Sequence, residues 1–226
     1  MRRIKGRYII LLSVVLVIIL IIASQRIYVS YFYPPLKPGP VVDIDVSAVT
    51  IKQLLPYVTN YMNDYKNTVE AQRREFSKSS FHFSRVDATL DKDQRGSIIF
   101  TMVEDKDSND EEVFHITIDT NQHKILSIEE DESRYGDPHS LDIENWKIDS
   151  GQAIDMIIQF SKKDKKEIKY DKIHMLAAFG GIASITGERD YVACWNITLV
   201  DSSQNPEYYY PSPYIDPYTG KYLQGL

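Results

Sequence analysis

The sequence contains a single cysteine, Cys194, in 226 residues, so an internal disulfide is excluded. The C-x-x-C spacing that zinc and redox sites use is excluded with it. The histidines are few and scattered, and no two stand at H-x-x-x-H or H-E-x-x-H spacing. Cys194 itself lies in an alternating strand pattern, which predicts an inert thiol. These absences predict a chain that is held together by its apolar core.

Catalytic and phosphate-binding motifs are missing as well. No G-x-S-x-G nucleophile elbow occurs, and the F-G-G-I-A-S stretch at residues 179–184 fits neither G-x-x-x-x-G-K-S/T nor G-x-G-x-x-G. Acidic loops from Asp91 and Asp105 begin like EF-hand loops, but both lack the glutamate at position 12 that binds calcium through two oxygens. We therefore predict no catalytic residue, no cofactor and no metal ion, and we interpret the chain as a protein that is not an enzyme.

Charged residues are absent from residues 9–23, which read I-I-L-L-S-V-V-L-V-I-I-L-I-I-A. With flanking residues this run approaches the roughly 30 Å of a bilayer core. A cleaved signal peptide would need small residues before its cleavage site, where Ile21 or Ile22 stands instead. An uncleaved transmembrane anchor over residues 9–28 is therefore favoured over a cleaved signal peptide.

The charges around the apolar run predict its orientation. Four basic residues precede it within residues 1–8, whereas only Arg26 closely follows it. The positive-inside rule then predicts a cytoplasmic N-terminus and an extracytoplasmic C-terminal domain on a single-pass protein of the cell membrane.

The chain beyond residue 26 is strongly acidic. Of the 26 basic residues, five lie in residues 1–26, where no acidic residue occurs, which leaves 21 basic against 32 acidic residues and a net charge of −11. Phosphate backbones attract the opposite sign, so no nucleic-acid partner is expected.

Two similar runs of secondary structure follow the Pro-rich linker that is predicted over residues 29–47. Thr50 and Gln53 form a predicted capping box that starts a helix, in which Pro56 either introduces a kink or marks the start of the main helix. Strand patterns then lie at residues 81–90, 97–103 and 113–118, with a short last strand from Ile125. Together these elements define a first unit over residues 48–135.

The pattern then restarts over residues 136–226. A second capping box begins at Asp149, and a helical stripe leads to strand patterns at residues 173–179, 191–200 and 208–215 and to a terminal piece at 222–223. Both halves contain I-D-x-x-x-x-K-x-L, with Asp119 and Lys124 lying 97 residues before Asp216 and Lys221. The pattern predicts a tandem duplication. The predicted fold class is therefore α+β, with an N-terminal transmembrane helix followed by two helix-plus-antiparallel-sheet units.

The closing stretch, Y-I-D-P-Y-T-G-K-Y-L, resembles the end of a PepSY unit. It has the aspartate, the T-G-K turn and the aliphatic residue of that family at Asp216, Thr219, Gly220, Lys221 and Leu223. The first half has a glutamine and a histidine where the family has threonine and glycine. The resemblance implies an antiparallel α+β fold and a non-catalytic binding or inhibitory module, and it carries over no catalytic residue.

The closing turn also has a direct physical interpretation. Asp216 is expected to accept hydrogen bonds from turn amides, Pro217 to preset φ, and Gly220 to take a left-handed conformation. With Lys221, these residues are the predicted turn-defining set of the second half. Asp119 and Lys124 are its counterparts in the first half.

Residues 206–218 concentrate tyrosine and proline, and two interpretations remain open. Tyrosines at an exposed edge suit partner recognition, whereas alternate tyrosines that cover a helix, with prolines that protect an edge strand, serve only stability. The candidate partner-binding surface consists of Tyr208, Tyr209, Tyr210, Tyr214 and Tyr218.

The sequence as a whole predicts a non-enzymatic, membrane-anchored extracytoplasmic module. It would bind an envelope protein or peptide and thereby regulate a cell-envelope process. The alternative is a peptidase inhibitor or propeptide-like chaperone.

Overall fold

The computed structural model describes residues 15–25, 39–68, 71–72, 78–105, 112–131, 139–163, 168–183 and 189–223. The chain divides into two compact units, of which the first comprises Met1–Lys37 and Lys66–Lys78. In that unit residues 15–25 form a helix whose side chains are exposed. The second unit comprises Pro38–Tyr65 and Ser79–Leu226.

The predicted transmembrane anchor over residues 9–28 is corrected by this structure. Within the described residues, no helix is both long and apolar enough to cross a membrane. A helix that crosses a bilayer needs about 20 predominantly apolar residues to span roughly 30 Å of hydrocarbon. The predicted single-pass topology and the placement at a cell membrane lose their basis with it. The remainder of residues 9–28 lies outside the described residues.

The second unit contains a single antiparallel sheet. Its strands are β1 (Val42–Asp43), β2 (Phe81–Leu90), β3 (Gly96–Glu104), β4 (Val113–Asp119), β5 (Lys124–Glu130), β6 (Lys172–Ala183), β7 (Arg189–Asp201), β8 (Tyr208–Tyr210), β9 (Tyr214–Ile215) and β10 (Tyr222–Leu223). Within the described residues the sheet has ten strands in the order β1-β5-β4-β3-β2-β6-β7-β9-β10, with β8 paired to β7.

This continuous sheet corrects the predicted fold class of two helix-plus-antiparallel-sheet units, because strands of both halves of the chain belong to one sheet. The first long strand of each half, β2 and β6, pair antiparallel through six residue pairs from Arg85↔Ala178 to Leu90↔Ile173. A strand edge leaves unpaired N–H and C=O groups, so joining the two edges satisfies both rows at once. The predicted linker over residues 29–47 also contributes to the sheet, because β1 pairs with β5.

Two α-helices of the second unit lie against the same face of the sheet. They are α1 (Ile51–Lys66) and α2 (Ser150–Lys162). Tyr65 of α1 meets Phe114 of β4 edge to face at 6.2 Å, and Trp146, shortly before α2, meets Trp195 of β7 in the same manner at 4.7 Å. Pro56 lies inside α1, which continues through it.

The register shows that these contacts are on one face. Ile116, Phe100, Val86, Ala177 and Trp195 are successive cross-strand partners, and none of them is more than 1% exposed. Because directly paired residues point to the same side of a sheet, this buried row runs beneath both helices.

The N-termini of the two helices meet each other. Asp149 caps α2 in a capping box with Gln152, which confirms the second predicted box. The same Asp149 Oδ1 accepts a hydrogen bond from Lys52 N of α1 at 3.2 Å, and Ser150 Oγ accepts one from Ile51 N at 3.0 Å. The short segment Asp149–Ser150 therefore caps the N-termini of both helices.

Candidate functional site: the open face of the sheet

The face of the sheet opposite the helices carries a mixture of polar and apolar side chains, and along its central row these are only partly buried. Its central row consists of Thr117, Ile99, Asp87, Leu176 and Asn196, which are successive cross-strand partners. All five are only partly buried, in contrast to the fully buried row on the helix side. This alternation along each strand is what an antiparallel sheet with one uncovered face produces.

A cavity of about 260 Å³ opens near the middle of this face. Strands β2, β3, β6 and β7 form its floor. The side chains that point from the open face into its lining are Asp87, Thr89, Ser97, Ile99, His174, Leu176, Asn196 and Thr198. It lies beside the junction of β2 and β6, where the two halves of the chain join.

Five polar side chains around the cavity have no hydrogen-bond partner within the described protein. They are Thr89, Ser97, His174, Asn196 and Thr198. Each is at least partly accessible to solvent. The cavity therefore presents hydroxyl, amide and imidazole groups that can bond to a ligand without breaking a bond inside the protein.

The carboxylate at the cavity, that of Asp87, is already paired. Arg85 donates to it through Nε at 2.6 Å and Nη2 at 2.7 Å, and this hydrogen bonding raises the pKa of Arg85. The two side chains are 52% and 35% exposed, so solvent screens the pair and its contribution to stability is about 0–1 kcal/mol. Asp87 can accept further hydrogen bonds, because a carboxylate has about four acceptor positions.

An aromatic side chain stands next to the cavity. The ring of Tyr209 lies 6.1 Å from that of His174, and the Tyr209 hydroxyl donates to Glu207 Oε2 at 3.0 Å. That hydrogen bond raises the pKa of Tyr209 and lowers that of Glu207, which also pairs with Lys172 at 3.2 Å.

The structure separates the five tyrosines of the predicted partner-binding surface. Tyr209 pairs with Val200 and shares the open face with His174, whereas Tyr208 and Tyr210 point to the other side of β8 and meet each other edge to face at 4.8 Å. Tyr214 and Tyr218 are partly buried near the closing turn. None of the five lines the cavity, but Tyr209 lies beside it, next to His174.

The predicted turn residues of the second half form one hydrogen-bonded loop. Asp216 Oδ1 accepts from Tyr218 N at 2.8 Å and Thr219 N at 3.3 Å, and Asp216 N donates to Lys221 O at 2.9 Å. Gly220 has φ of +72°, the left-handed region where a Cβ is unfavourable.

Two further contacts fix this turn. Pro217 O accepts hydrogen bonds from the backbone N–H groups of Lys147 and Ile148, each at 2.9 Å. They attach the turn to the segment before α2. The geometry assigns the residues around Asp216 to turn formation, on the helix side of the sheet and away from the cavity.

The turn of the first half repeats this arrangement with different residues. Asp119 Oδ1 accepts from Asn121 N at 2.8 Å and Gln122 N at 3.1 Å, and Asp119 pairs with Lys124 across the hairpin. His123 takes the left-handed position with φ of +54°. Histidine thus occupies the place that glycine holds in the second half.

A second polar cluster on the open face has the order of a nucleophile, a base and an acid. Thr101 Oγ1 lies 3.1 Å from His115 Nδ1, and His115 Nε2 lies 3.1 Å from Asp131 Oδ2. Thr101, however, is only 5% exposed, so a substrate has no access to its hydroxyl. We interpret the cluster as a hydrogen-bond network that satisfies a buried threonine.

Cys194 also lies on the open face, paired with Ala178, but it is 6% exposed. Burial raises the pKa of its thiol to about 11, which keeps it protonated at neutral pH. Among the described residues, no three histidine, cysteine or acidic side chains stand close enough to hold a metal ion.

No family model, no curated protein and no solved structure matches the chain. The resemblance to the PepSY family is therefore unsupported, and no function is taken from it.

The cavity was not predicted from the sequence. Its residues come from four strands that are up to about 110 positions apart, so only the register between β2 and β6 brings them together. The available signal was the alternation of polar and apolar residues at 172–175 and 195–199, which marks an open face but not a cavity.

Proposed function

We propose that the chain is a non-enzymatic module that binds a peptide or protein segment on the open face of its sheet. The observation that carries the proposal is the group of five unpaired polar side chains around one cavity on that face. Polar groups that are placed together and hydrogen-bonded to nothing in the protein are suited to orient a ligand.

The size of the cavity favours part of a larger partner over a free small molecule. Ligand pockets for drug-sized molecules and cofactors occupy roughly 300–1,000 Å³ and enclose most of the ligand. A volume of about 260 Å³ on an open face is smaller than this range. It suits one or two side chains, with the rest of the partner contacting the surrounding strands and Tyr209.

The test is selection of a displayed random peptide library against the full chain, followed by binding measurements on the enriched peptides. Thr198→Tyr places a large ring in the cavity, and Thr117→Tyr is the matched control. Thr117 is also a partly buried threonine on an interior strand of the open face, but it does not line the cavity.

The proposal predicts that enriched peptides bind the native chain and Thr117→Tyr equally, and bind Thr198→Tyr at least about tenfold more weakly because the ring excludes the ligand. Failure of any peptide to enrich, or equal binding to both variants, would refute it.

A further inference from the structure

We propose that the cavity on the open face receives a basic side chain of the bound segment, preferentially an arginine. This inference rests on the proposed function and specifies the ligand chemistry of the same site. It is argued from the hydrogen-bonding capacity of the cavity, from its shape and from charge.

The lining of the cavity can accept more hydrogen bonds than it can donate. Each hydroxyl of Thr89, Ser97 and Thr198 has one donor and two acceptor positions, and the carboxylate of Asp87 has acceptors only. A ligand group with many donors and no acceptor satisfies this surplus. Guanidinium, with five N–H donors and no acceptor, is the side-chain group that fits this description best.

A saccharide satisfies the cavity less well. Sugar hydroxyls, like those of threonine and serine, carry more acceptors than donors, so a bound sugar ring would leave acceptors unpaired. Leaving a polar group without its partner costs about 1–3 kcal/mol when water is excluded. The hydrogen-bonding balance therefore favours a cation over a polyol.

The arrangement of the acceptors favours arginine over lysine. The cavity lies on four neighbouring strands, so its oxygen atoms are spread across a floor and do not converge on one point. The planar fork of arginine reaches several separated acceptors at once, whereas a lysine ammonium acts as a compact point charge.

Charge acts in the same direction. The chain carries 32 acidic against 26 basic residues, and all of its acidic residues lie beyond residue 26. A field of this sign raises the local concentration of cationic segments and repels acidic ones.

Arg85 provides a competitor within the chain itself. Its guanidinium occupies two of the acceptor positions of Asp87, and it is 52% exposed. An incoming arginine must share Asp87 with it. Removing the guanidinium of Arg85 should therefore strengthen binding of a basic ligand. The affinity of a ligand that is held by contacts elsewhere would not change.

The first experiment uses the simplest probe, Nα-acetyl-arginine amide, which is titrated into the full chain while the ring proton resonances of His174 are recorded. His174→Gln assigns those resonances. Nα-acetyl-citrulline amide has the same shape without the charge and serves as the matched control, and glucose tests the saccharide. We expect a saturable shift with the arginine probe and at least about a fivefold weaker response with the citrulline probe.

Equal responses to the arginine and citrulline probes, a response to glucose alone, or no response at the highest soluble concentration would overturn the inference.

The second experiment measures the affinity of the arginine probe for three variants. Asp87→Asn should weaken binding by about threefold to tenfold, because a charge-assisted hydrogen bond is lost at a partly exposed site. Arg85→Gln should strengthen it by about twofold to fivefold. Glu129→Gln removes the same charge as Asp87→Asn from the same face but outside the cavity, and should change binding less than twofold.

Equal losses for Asp87→Asn and Glu129→Gln would show that only the overall charge acts. Weaker binding to Arg85→Gln would show that the arginine probe does not compete for Asp87. Either result overturns the inference.

The library selection separates this inference from the proposed function. If the enriched peptides bind Thr198→Tyr weakly but share no arginine or lysine, the proposed peptide binding stands. The inference that the cavity receives a basic side chain is then refuted. If no peptide enriches, the proposed function fails as well.

Discussion

Asp149 should make an unusually large contribution to stability, because one carboxylate caps two helices. Its Oδ1 accepts hydrogen bonds from Ser150 N of α2 at 2.7 Å and from Lys52 N of α1 at 3.2 Å. Thr50, in the corresponding place before α1, contributes only a 3.5 Å contact to Gln53 N. Asp149→Ala and Thr50→Ala therefore make a matched pair.

The magnitude follows from the bonds lost. Loss of an N-cap side chain costs about 1 kcal/mol, and an orphaned helix amide on α1 adds about 0.5–1.5 kcal/mol. Removing a negative charge from two helix N-termini adds roughly another 0.5 kcal/mol. Asp149→Ala should therefore lower the free energy of unfolding by about 2–3 kcal/mol, against about 0.5 kcal/mol for Thr50→Ala. Asp149→Asn keeps a carbonyl acceptor, so its loss of unfolding free energy should lie between those of Thr50→Ala and Asp149→Ala.

Tryptophan fluorescence during urea unfolding is the appropriate assay. The chain has two tryptophans, Trp146 and Trp195, which contact each other at 4.7 Å between ring centres. Trp146 O also accepts a hydrogen bond from Lys52 Nζ at 2.8 Å, so the signal originates at the junction of the two helices. The midpoint should shift while the slope with urea stays constant.

A loss from Asp149→Ala that is no larger than that from Thr50→Ala would refute the reasoning. It would mean that the bond to Lys52 N contributes nothing, and that the two helix N-termini are held together by their other contacts, such as the hydrogen bond from Ile51 N to Ser150 Oγ.

Three further predictions concern the closing turn and two titrating groups. Gly220→Ala should lower the free energy of unfolding by about 1 kcal/mol in the same urea assay, because alanine is strained at φ of +72° and its Cβ would lie 3.1 Å from Ile148 Cδ1. Cys194 should resist a thiol reagent at pH 8 until the protein unfolds, and stability should fall as pH rises from about 9 towards 11, because only the unfolded thiol ionises there. Hydrogen bonds from Ser203 are the main cause of the lowered pKa of Asp201, so stability should fall below about pH 4, and Asp201→Asn should flatten that acid limb.

Each of these predictions can fail plainly. Unchanged stability of Gly220→Ala would show that the turn relaxes without cost. Rapid labelling of the native thiol would show that Cys194 is accessible, and an unchanged acid limb would show that Asp201 titrates alike in the folded and unfolded chain.

Local pattern predicted the strands well. The predicted strand at residues 81–90 coincides with β2, and that at 113–118 falls one residue short of β4. Alternation of apolar and polar residues is a local property that survives in any sheet with one open face. The helical spacing from Ile51 onward also predicts a first helix that runs to about Lys78, and this prediction was wrong, because α1 ends at Lys66.

Association of the two halves could not be predicted from the same pattern. A self-contained unit and half of a continuous sheet have the same strands in the same order. They differ only in whether β2 is an edge, and residues 81–90 read equally well as an edge strand or as an interior one. The cavity depends on the pairing of β2 with β6, so it could not be predicted from the local pattern either.

The internal repeat locates the cavity once the register is known. Ile98 pairs with Ile118 in the first half, and Trp195 pairs with Ile215 in the second, each 97 positions later. Across the next ladder Ala88 pairs with Ile98 and Ala177 with Trp195. Positions on β2 thus correspond to positions on β6 that are 89 later.

By this correspondence, Arg85 in the first half occupies the place that His174 holds in the second, on opposite sides of the central pair Asp87↔Leu176. Arg85 turns towards Asp87 and fills its side of the open face. The shorter His174 reaches no hydrogen-bond partner within the described protein, and the cavity opens on its side. The cavity therefore lies where the two halves differ. The similarity of the halves predicted the order of the strands, but it gave no indication of this site.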